Sequence, residues 1–390
     1  MRLFFEESER RSLAPYACRA ADSRGRRYEE GPPDEYRTAF QRDRDRILYS
    51  TAFRRLQYKT QVYVIHEGDA YRTRLTHTLE VMQHARTIAR VLRANEDLTE
   101  AVALGHDLGH APFGHGGEEE LDLLLAGEGG FEHNRQSLRQ VDLLERRYRD
   151  FPGLNLCHET REGLARHATF YDQPAPDGEF AATPFPSLEC QIVNLADTLA
   201  YCAHDLDDAL RSGLISLADL EEADLALPAR VLSGIGGNGP LELRHRLLVR
   251  GVIDRLTRAV IQESLRRLEA SGVDSPAAVR AHSSPLAGLP EEEAGELAAL
   301  NGFLHRAVYE HPGVLAAAAK GRAVLRELFQ RFLETPRLLP RSTQKRLAGG
   351  DDGAARVIGD YLAGMTDRHA LLVYQKIVDP TVPVGLGLGD

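Results

Sequence analysis

His106-Asp107-Leu108-Gly109-His110-Ala111-Pro112-Phe113-Gly114-His115-Gly116-Gly117-Glu118 packs three imidazoles and two carboxylates into one short segment. An adjacent His-Asp pair offers a neutral nitrogen and an anionic oxygen from a single turn of chain, which suits a divalent metal with mixed donors. The pair also closes a helix. Apolar periodicity runs from about Leu98 to Asp107, with Asp97 or Asn95 as N-cap, and Gly109 and Pro112 stop it. The glycines that follow make 108–117 read as a loop, in which His110, His115 and Glu118 turn toward a metal without helical constraint.

Two ligands do not make a site, so the flanking helices must supply the others. Leu75, Leu79, Met82, Ala85, Ala89 and Leu92 mark an amphipathic helix, and His77 borders its apolar stripe beside Val81 and Ile88. His84, seven residues on, lies on nearly the same face, so spacing alone does not choose between the two. A further helix, 187–211, is apolar on most sides yet carries Asp197, Tyr201 and Asp205 at i, i+4 and i+8, on one face. A buried lone carboxylate is expensive, so Asp197 needs a cation.

Read together, His77, His106-Asp107 and Asp197 resemble the H…HD…D signature of the HD-domain metal phosphohydrolases. Longer blocks are narrower: Phe40 to Ile47, Ala52-Phe53-Arg54-Arg55-Leu56, Lys59-Thr60-Gln61-Val62, Arg72-Thr73-Arg74-Leu75-Thr76-His77, Gly105 to Gly114, and Gly130 to Asn134. With Glu159 to Leu164, Asp197 to Leu210 and Met365-Thr366-Asp367-Arg368, they resemble the bacterial deoxyguanosinetriphosphate triphosphohydrolase-like family. The Arg-Leu-Thr-His context selects His77 over His84. His369 stands where an aromatic residue is the commoner family choice.

The resemblance implies hydrolysis of a deoxynucleoside triphosphate to nucleoside and inorganic triphosphate, by water attack at the α-phosphorus. It implies a metal, Mn²⁺ or Mg²⁺ with Fe²⁺ also compatible, held by His77, His106, Asp107 and Asp197. His115 and Glu118 correspond to the family's catalytic pair. His110 is a candidate for phosphate contact or proton shuttling, and His133 for a supporting role. Arg74, on the helical face of His77, is the strongest phosphate candidate, with Arg55 and Lys59 behind it. Tyr201 would pack on the deoxyribose, Gln61 and Asp205 would bond its 3′-hydroxyl, and Tyr309 resembles a family tyrosine near the base. A homo-oligomer, often a hexamer, and a nucleotide or single-stranded DNA effector belong to the same set of expectations. The alternatives are an HD nucleotidase or phosphodiesterase, or a nucleic-acid-binding regulatory module retaining the HD fold. His158-Glu159…His167 lacks the spacing of a zincin helix, which removes a peptidase.

Composition bounds the rest. The 390 residues are 43% hydrophobic and 27% charged with a net charge of −10, which excludes disorder and a small disulfide scaffold. Residues 1–93 hold 18 Arg, one Lys and 13 acidic residues, a net of +6, so the other 297 carry −16. That asymmetry points to a local anion site, although Arg42, Arg44 and Arg46, alternating with Asp43 and Asp45, read as an ion-paired helix face. Cys18, Cys157, Cys190 and Cys202 lie far apart and read as reduced thiols. No apolar run reaches the roughly 18 residues of a membrane span, and Glu6, Glu7 and Glu9 interrupt any leader, so a soluble cytoplasmic protein is expected.

The predicted fold is mostly α: an HD-domain core over 1–232 with an Arg-rich front segment, then a helical portion over 233–390 beyond the glycine-rich stretch Ser233 to Pro240. Helices are expected at 34–58, 133–149, 159–168, 187–211, 240–271, 291–310, 313–333 and 354–376. The single strand-like run is Val62-Tyr63-Val64-Ile65.

Overall fold

The computed structural model describes residues 1–61, 72–169, 178–235, 239–350 and 352–382. Among them the regular elements are all helical, and extended pairing is confined to the isolated bridges Arg26↔Cys157, Thr60↔Thr73 and Arg146↔Gly153. The expected strand at 62–65 lies outside the described residues.

Local chemistry sets most element ends. Asn95, not Asp97, is the N-cap of the Glu96–Gly105 helix, its side chain accepting from Leu98 N. Asp97 instead accepts from Gln41 and pairs with Arg44. Ser187 caps Leu188–Ser212, and Gly213, at φ +73°, ends it in the left-handed region. Four expected helices are subdivided. The stretch 34–58 becomes Ala39–Leu48, capped reciprocally by Thr38 and Gln41, then Thr51–Arg55 and a 3₁₀ turn. The stretch 354–376 breaks at Gly364 into Ala354–Ala363 and Asp367–Val378, the second capped by Thr366. The stretches 133–149 and 291–310 pass from α-helix into the π turns Gln140–Leu144 and His305–Tyr309.

One expectation needs correction where it matters for the site. The glycine-rich segment expected to be loop through residue 117 is already helix from Gly114, the first residue of Gly114–Leu124. Its glycines serve close packing: a Cβ on Gly117 would sit 1.8 Å from Pro112 O, and one on Gly116 3.1 Å from Ala318 Cβ. His115 and Glu118 therefore stand three residues apart on one helical face.

The described residues form two compact units. The first draws on Met1–Ser50, His77–His106 and Val141–His311, and the second on Thr51–Thr76, Asp107–Gln140 and Pro312–Asp390. In the first, Ala39–Leu48 packs on Glu96–Gly105, which meets His158–Ala165 and Leu188–Ser212, and the last lies along Leu241–Ser271. Phe40, Ile47, Leu98, Val102, Leu104, Ile192 and Leu199 are buried there, each contributing about 1.5–3 kcal/mol by leaving water. In the second, Gly114–Leu124 packs on Pro312–Glu334, with Ala354–Ala363 and Asp367–Val378 completing a core of Phe113, Leu121, Phe131, Leu328, Phe332 and Leu362.

Candidate metal centre and acid–base cluster

In the first unit His77, His106 and Asp197 are all buried, and one donor atom from each lies within 4.8 Å of the others. His106 caps the Glu96–Gly105 helix, with Nδ1 2.7 Å from Ala103 O. A carbonyl only accepts, so Nδ1 carries the hydrogen and the lone pair is at Nε2. That nitrogen faces Asp197 Oδ1 at 3.9 Å.

His77 is fixed by the same logic. Its Nδ1 lies 3.0 Å from His204 Nδ1, and His204 Nε2 meets the Glu80 carboxylate. With His204 donating to Glu80, its Nδ1 accepts from His77, which leaves the His77 lone pair at Nε2, 2.9 Å from Asp197 Oδ1. Asp197 is held well below the ordinary carboxylate range: burial works against ionisation, and the His167 bond with the surrounding imidazoles outweighs it. Two nitrogen lone pairs thus converge on an ionised oxygen. This arrangement fits a bound cation.

His167 and His204 were not assigned to the site on sequence grounds. His167 Nε2 is 3.0 Å from Asp197 Oδ2, and the Asn194 amide, turned so that its nitrogen donates to His167 Nδ1, fixes Nε2 as the donor to Asp197. A signal existed for His204, which stands seven residues, two turns, after Asp197 on the same helix face. His84 lines a hollow with Asp207, Arg246 and Asp254 and is not among these donors.

The second unit holds a separate cluster. Arg74 Nη1 donates to both Asp107 oxygens at 3.2 and 3.3 Å. His110 Nε2 is 3.2 Å from Asp107 Oδ1, and its Nδ1 is 3.6 Å from Glu118 Oε2. The His110 ring stacks on His133 at 3.9 Å between centroids and 14°. Burial keeps the His110 imidazole well below its usual pKa, helped by Arg74 and His133. Glu118 Oε1 accepts from His133 N at 2.8 Å and lies 3.0 Å from His133 Nδ1. Burial opposes the charge on Glu118, but His133, His110 and His115 together lower its pKa strongly. The imidazole held by Glu118 is thus His133. His115, half-buried, has its ring 6.4 Å from that of His110, at 82°.

The remaining candidates have definite surroundings. Lys59 is buried, its Nζ donating to His110 O at 2.5 Å and Ala363 O at 2.9 Å. Burial, then the Arg55 and Arg74 charges, bring its pKa down to about 7. Arg55 donates to Gly364 O at 2.8 Å. Gln61 is buried, and its Oε1 has no hydrogen-bond partner among the described residues. In the first unit Tyr309 OH donates to Asp205 Oδ2 at 2.9 Å and meets Tyr201 OH. Tyr309 lies on the π turn, a type of distortion frequent at functional sites.

An HD domain matches residues 74–202, and a phosphohydrolase-associated domain matches 287–376. A deoxyguanosinetriphosphate triphosphohydrolase-like protein of Syntrophus aciditrophicus (strain SB) is 48% identical over 387 residues, 97% of each chain. The chain belongs to the deoxyguanosinetriphosphate triphosphohydrolase-like family. Relatives of the same name in Bordetella pertussis and Geobacter metallireducens are 49% and 45% identical, covering 94% and 95% of this chain and 96% of their own. As a family member with an HD domain, the chain is a metal-dependent phosphohydrolase. No helix among the described residues is long and apolar enough to cross a membrane.

Proposed function

We propose that this protein hydrolyses deoxynucleoside triphosphates to deoxynucleoside and inorganic triphosphate, water attacking the α-phosphorus and the 5′-oxygen leaving with a proton. The observation that carries the reading is the convergence of the His77 and His106 lone pairs on Asp197 in a buried site, in a chain whose relatives bear the triphosphohydrolase-like name.

His77, His106 and Asp197 would hold the cation, with Asp107, next to His106 in the chain, as the fourth donor. When bound, a divalent ion such as Mn²⁺ or Mg²⁺ supplies Lewis-acid polarisation of a phosphate oxygen and lowers the pKa of bound water. The protein's own groups handle the protons. His133 keeps its Nδ1 hydrogen toward Glu118, so its Nε2 is the exchangeable position. His110, kept neutral by burial, presents an uncharged imidazole between Asp107 and Glu118. His115, the half-buried member on the helix that carries Glu118, is the proposed carrier to the leaving oxygen. Arg74, anchored on Asp107, supplies positive charge for the phosphates. Tyr201 and Tyr309 would pack at the sugar, and Asp205 with the Gln61 acceptor would take the 3′-hydroxyl of the deoxyribose.

Incubating the purified protein with each dNTP and NTP plus Mn²⁺ or Mg²⁺, and resolving the products, tests this. Deoxynucleoside and intact triphosphate are expected, with NTPs poor substrates. Nucleoside monophosphate or orthophosphate as the main product would favour a nucleotidase or phosphodiesterase, and absence of turnover a binding module. His115→Ala should lower kcat by about 10²–10⁴-fold.

A further inference from the structure

The Met365-Thr366-Asp367-Arg368 block has no part in the chemistry above, yet Asp367 is among the most completely enclosed carboxylates of the second unit, 2% exposed. Thr366 caps the Asp367–Val378 helix, its Oγ1 accepting from His369 N at 3.1 Å, so Asp367 is the first helical residue. There the unpaired helix N–H groups favour an anion. A cap alone does not explain where the carboxylate points. Its Oδ1 accepts from Phe113 N at 2.9 Å, and its Oδ2 accepts from Thr60 N at 3.0 Å and from the Thr60 hydroxyl.

Phe113 lies between His110 and His115, in a turn the chain does not adopt without help. It has φ +67°, and Gly114 follows at φ +60°. A side chain in the left-handed region costs about 1–2 kcal/mol. The ring finds room because Gly321 has no side chain: a Cβ there would lie 2.6 Å from Phe113 Cβ. The other end of the turn is held too, since Lys59 joins His110 O to Ala363 O, and Arg55 secures the adjoining Gly364 O. The His110–Phe113 segment is therefore gripped at both ends, its first carbonyl by Lys59, 51 positions earlier in the chain, and its last amide by Asp367, 254 positions later.

We infer that Asp367 is a positioning residue for the proton-transfer cluster: by holding Phe113 N and Thr60, it fixes the backbone turn from which His110 and His115 project. The phosphohydrolase-associated region, which includes residue 367, thereby contributes to turnover without touching substrate. The inference rests on the proposed roles of His110 and His115. Because a misplacement of about 1 Å can cost about 10²-fold in rate, the brace acts on kcat and leaves binding of substrate and metal in place.

The test compares wild type, Asp367→Ala, Thr60→Val and Thr60→Ser in steady-state dGTP hydrolysis with Mn²⁺, Mn²⁺ titration calorimetry and hydrogen–deuterium exchange. For Asp367→Ala, kcat should fall about 10- to 100-fold, with KM and Mn²⁺ affinity within about threefold of wild type and faster exchange confined to peptides spanning 58–61 and 110–115. Thr60→Val should move the same way by less, and Thr60→Ser, which keeps the hydroxyl, should restore most of kcat. If Asp367→Ala does not fold, Thr60→Val against Thr60→Ser carries the comparison. Wild-type kcat in both Asp367→Ala and Thr60→Val overturns the inference. So does loss of kcat, KM and metal affinity together with exchange spread over the whole second unit, the mark of a merely structural acid. Failure of the functional reading looks different: wild type then releases no triphosphate, or His115→Ala turns over normally, while local exchange in Asp367→Ala still reports the brace.

Discussion

Each imidazole at the candidate metal centre has two nitrogens, and whatever binds the outer one decides what the inner one offers. Ala103 O does this for His106 and the His204–Glu80 pair does it for His77. Asp197 has an analogous partner in His167, which fixes one carboxylate oxygen and leaves the other facing the two lone pairs. Partners of this kind typically govern 10- to 100-fold of metal affinity. His167→Ala should therefore weaken Mn²⁺ binding by about 10–100-fold in titration calorimetry, and unchanged affinity would show that Asp197 orients itself. The candidates His77, His106-Asp107 and Asp197 were legible in the sequence because they stand in distinctive local contexts, and the structure brings three of them, His77, His106 and Asp197, together. His167 was not, since it lies in coil just beyond the His158–Ala165 helix and its partner stands 30 residues later, on Leu188–Ser212.

At the scale of elements, glycines decide how closely the segment from Gly109 to Gly117 can pack. Gly109 lies against the backbone of His133 and Ser137, where a Cβ would come within 2.2 Å of each, and its N–H donates to Ser137 Oγ. Gly117 is tighter still against Pro112 O. Neither obstacle is a side chain that can swing away, so Gly117→Ala should cost about 1–3 kcal/mol or more in urea denaturation. Gly127→Ala, with nothing within 4 Å of the added Cβ, should be near neutral. Equal effects of the two substitutions would remove packing as the reason for the glycine. Glycine content read from sequence suggested a loop through residue 117, because helix propensity counts the entropic cost of Gly and cannot see the neighbour that requires it. The same limit explains the two π turns, which no 3.6-residue pattern announces.

Across the whole molecule, the arginine-rich front quarter is largely neutralised on site. Arg26 pairs with Asp43 and Arg46 with Glu30 in buried surroundings, while Arg37 with Asp34 and Asp45, and Arg90 with Glu96, form more exposed pairs, the exposed ones contributing about 0–1 kcal/mol each. Arg74, buried on Asp107, reaches the candidate site. Stability as a function of pH should instead record buried acids without a cation. Glu9 accepts from Ala20 N and Asn95 Nδ2, and burial pushes its carboxyl up from 4.5 to about 7. Between those values the folded chain keeps a proton that the unfolded chain has released, so this contribution is complete below pH 4.5 and is lost as pH rises through about 7. Urea midpoints from pH 4.5 to 8 should fall more steeply for wild type than for Glu9→Gln, and parallel curves would reject the assignment. The sequence by itself determined the helical class, through apolar spacing that only an amphipathic helix satisfies, and marked the candidate metal ligands, through the short blocks around His77, His106-Asp107 and Asp197 that carry the family resemblance. Tertiary structure alone decided which partner each polar group meets: His167 for Asp197, His133 for Glu118, and Phe113 for Asp367 across 254 residues. Helical periodicity is a local property, whereas a buried hydrogen bond depends on which helices pack together and at what register.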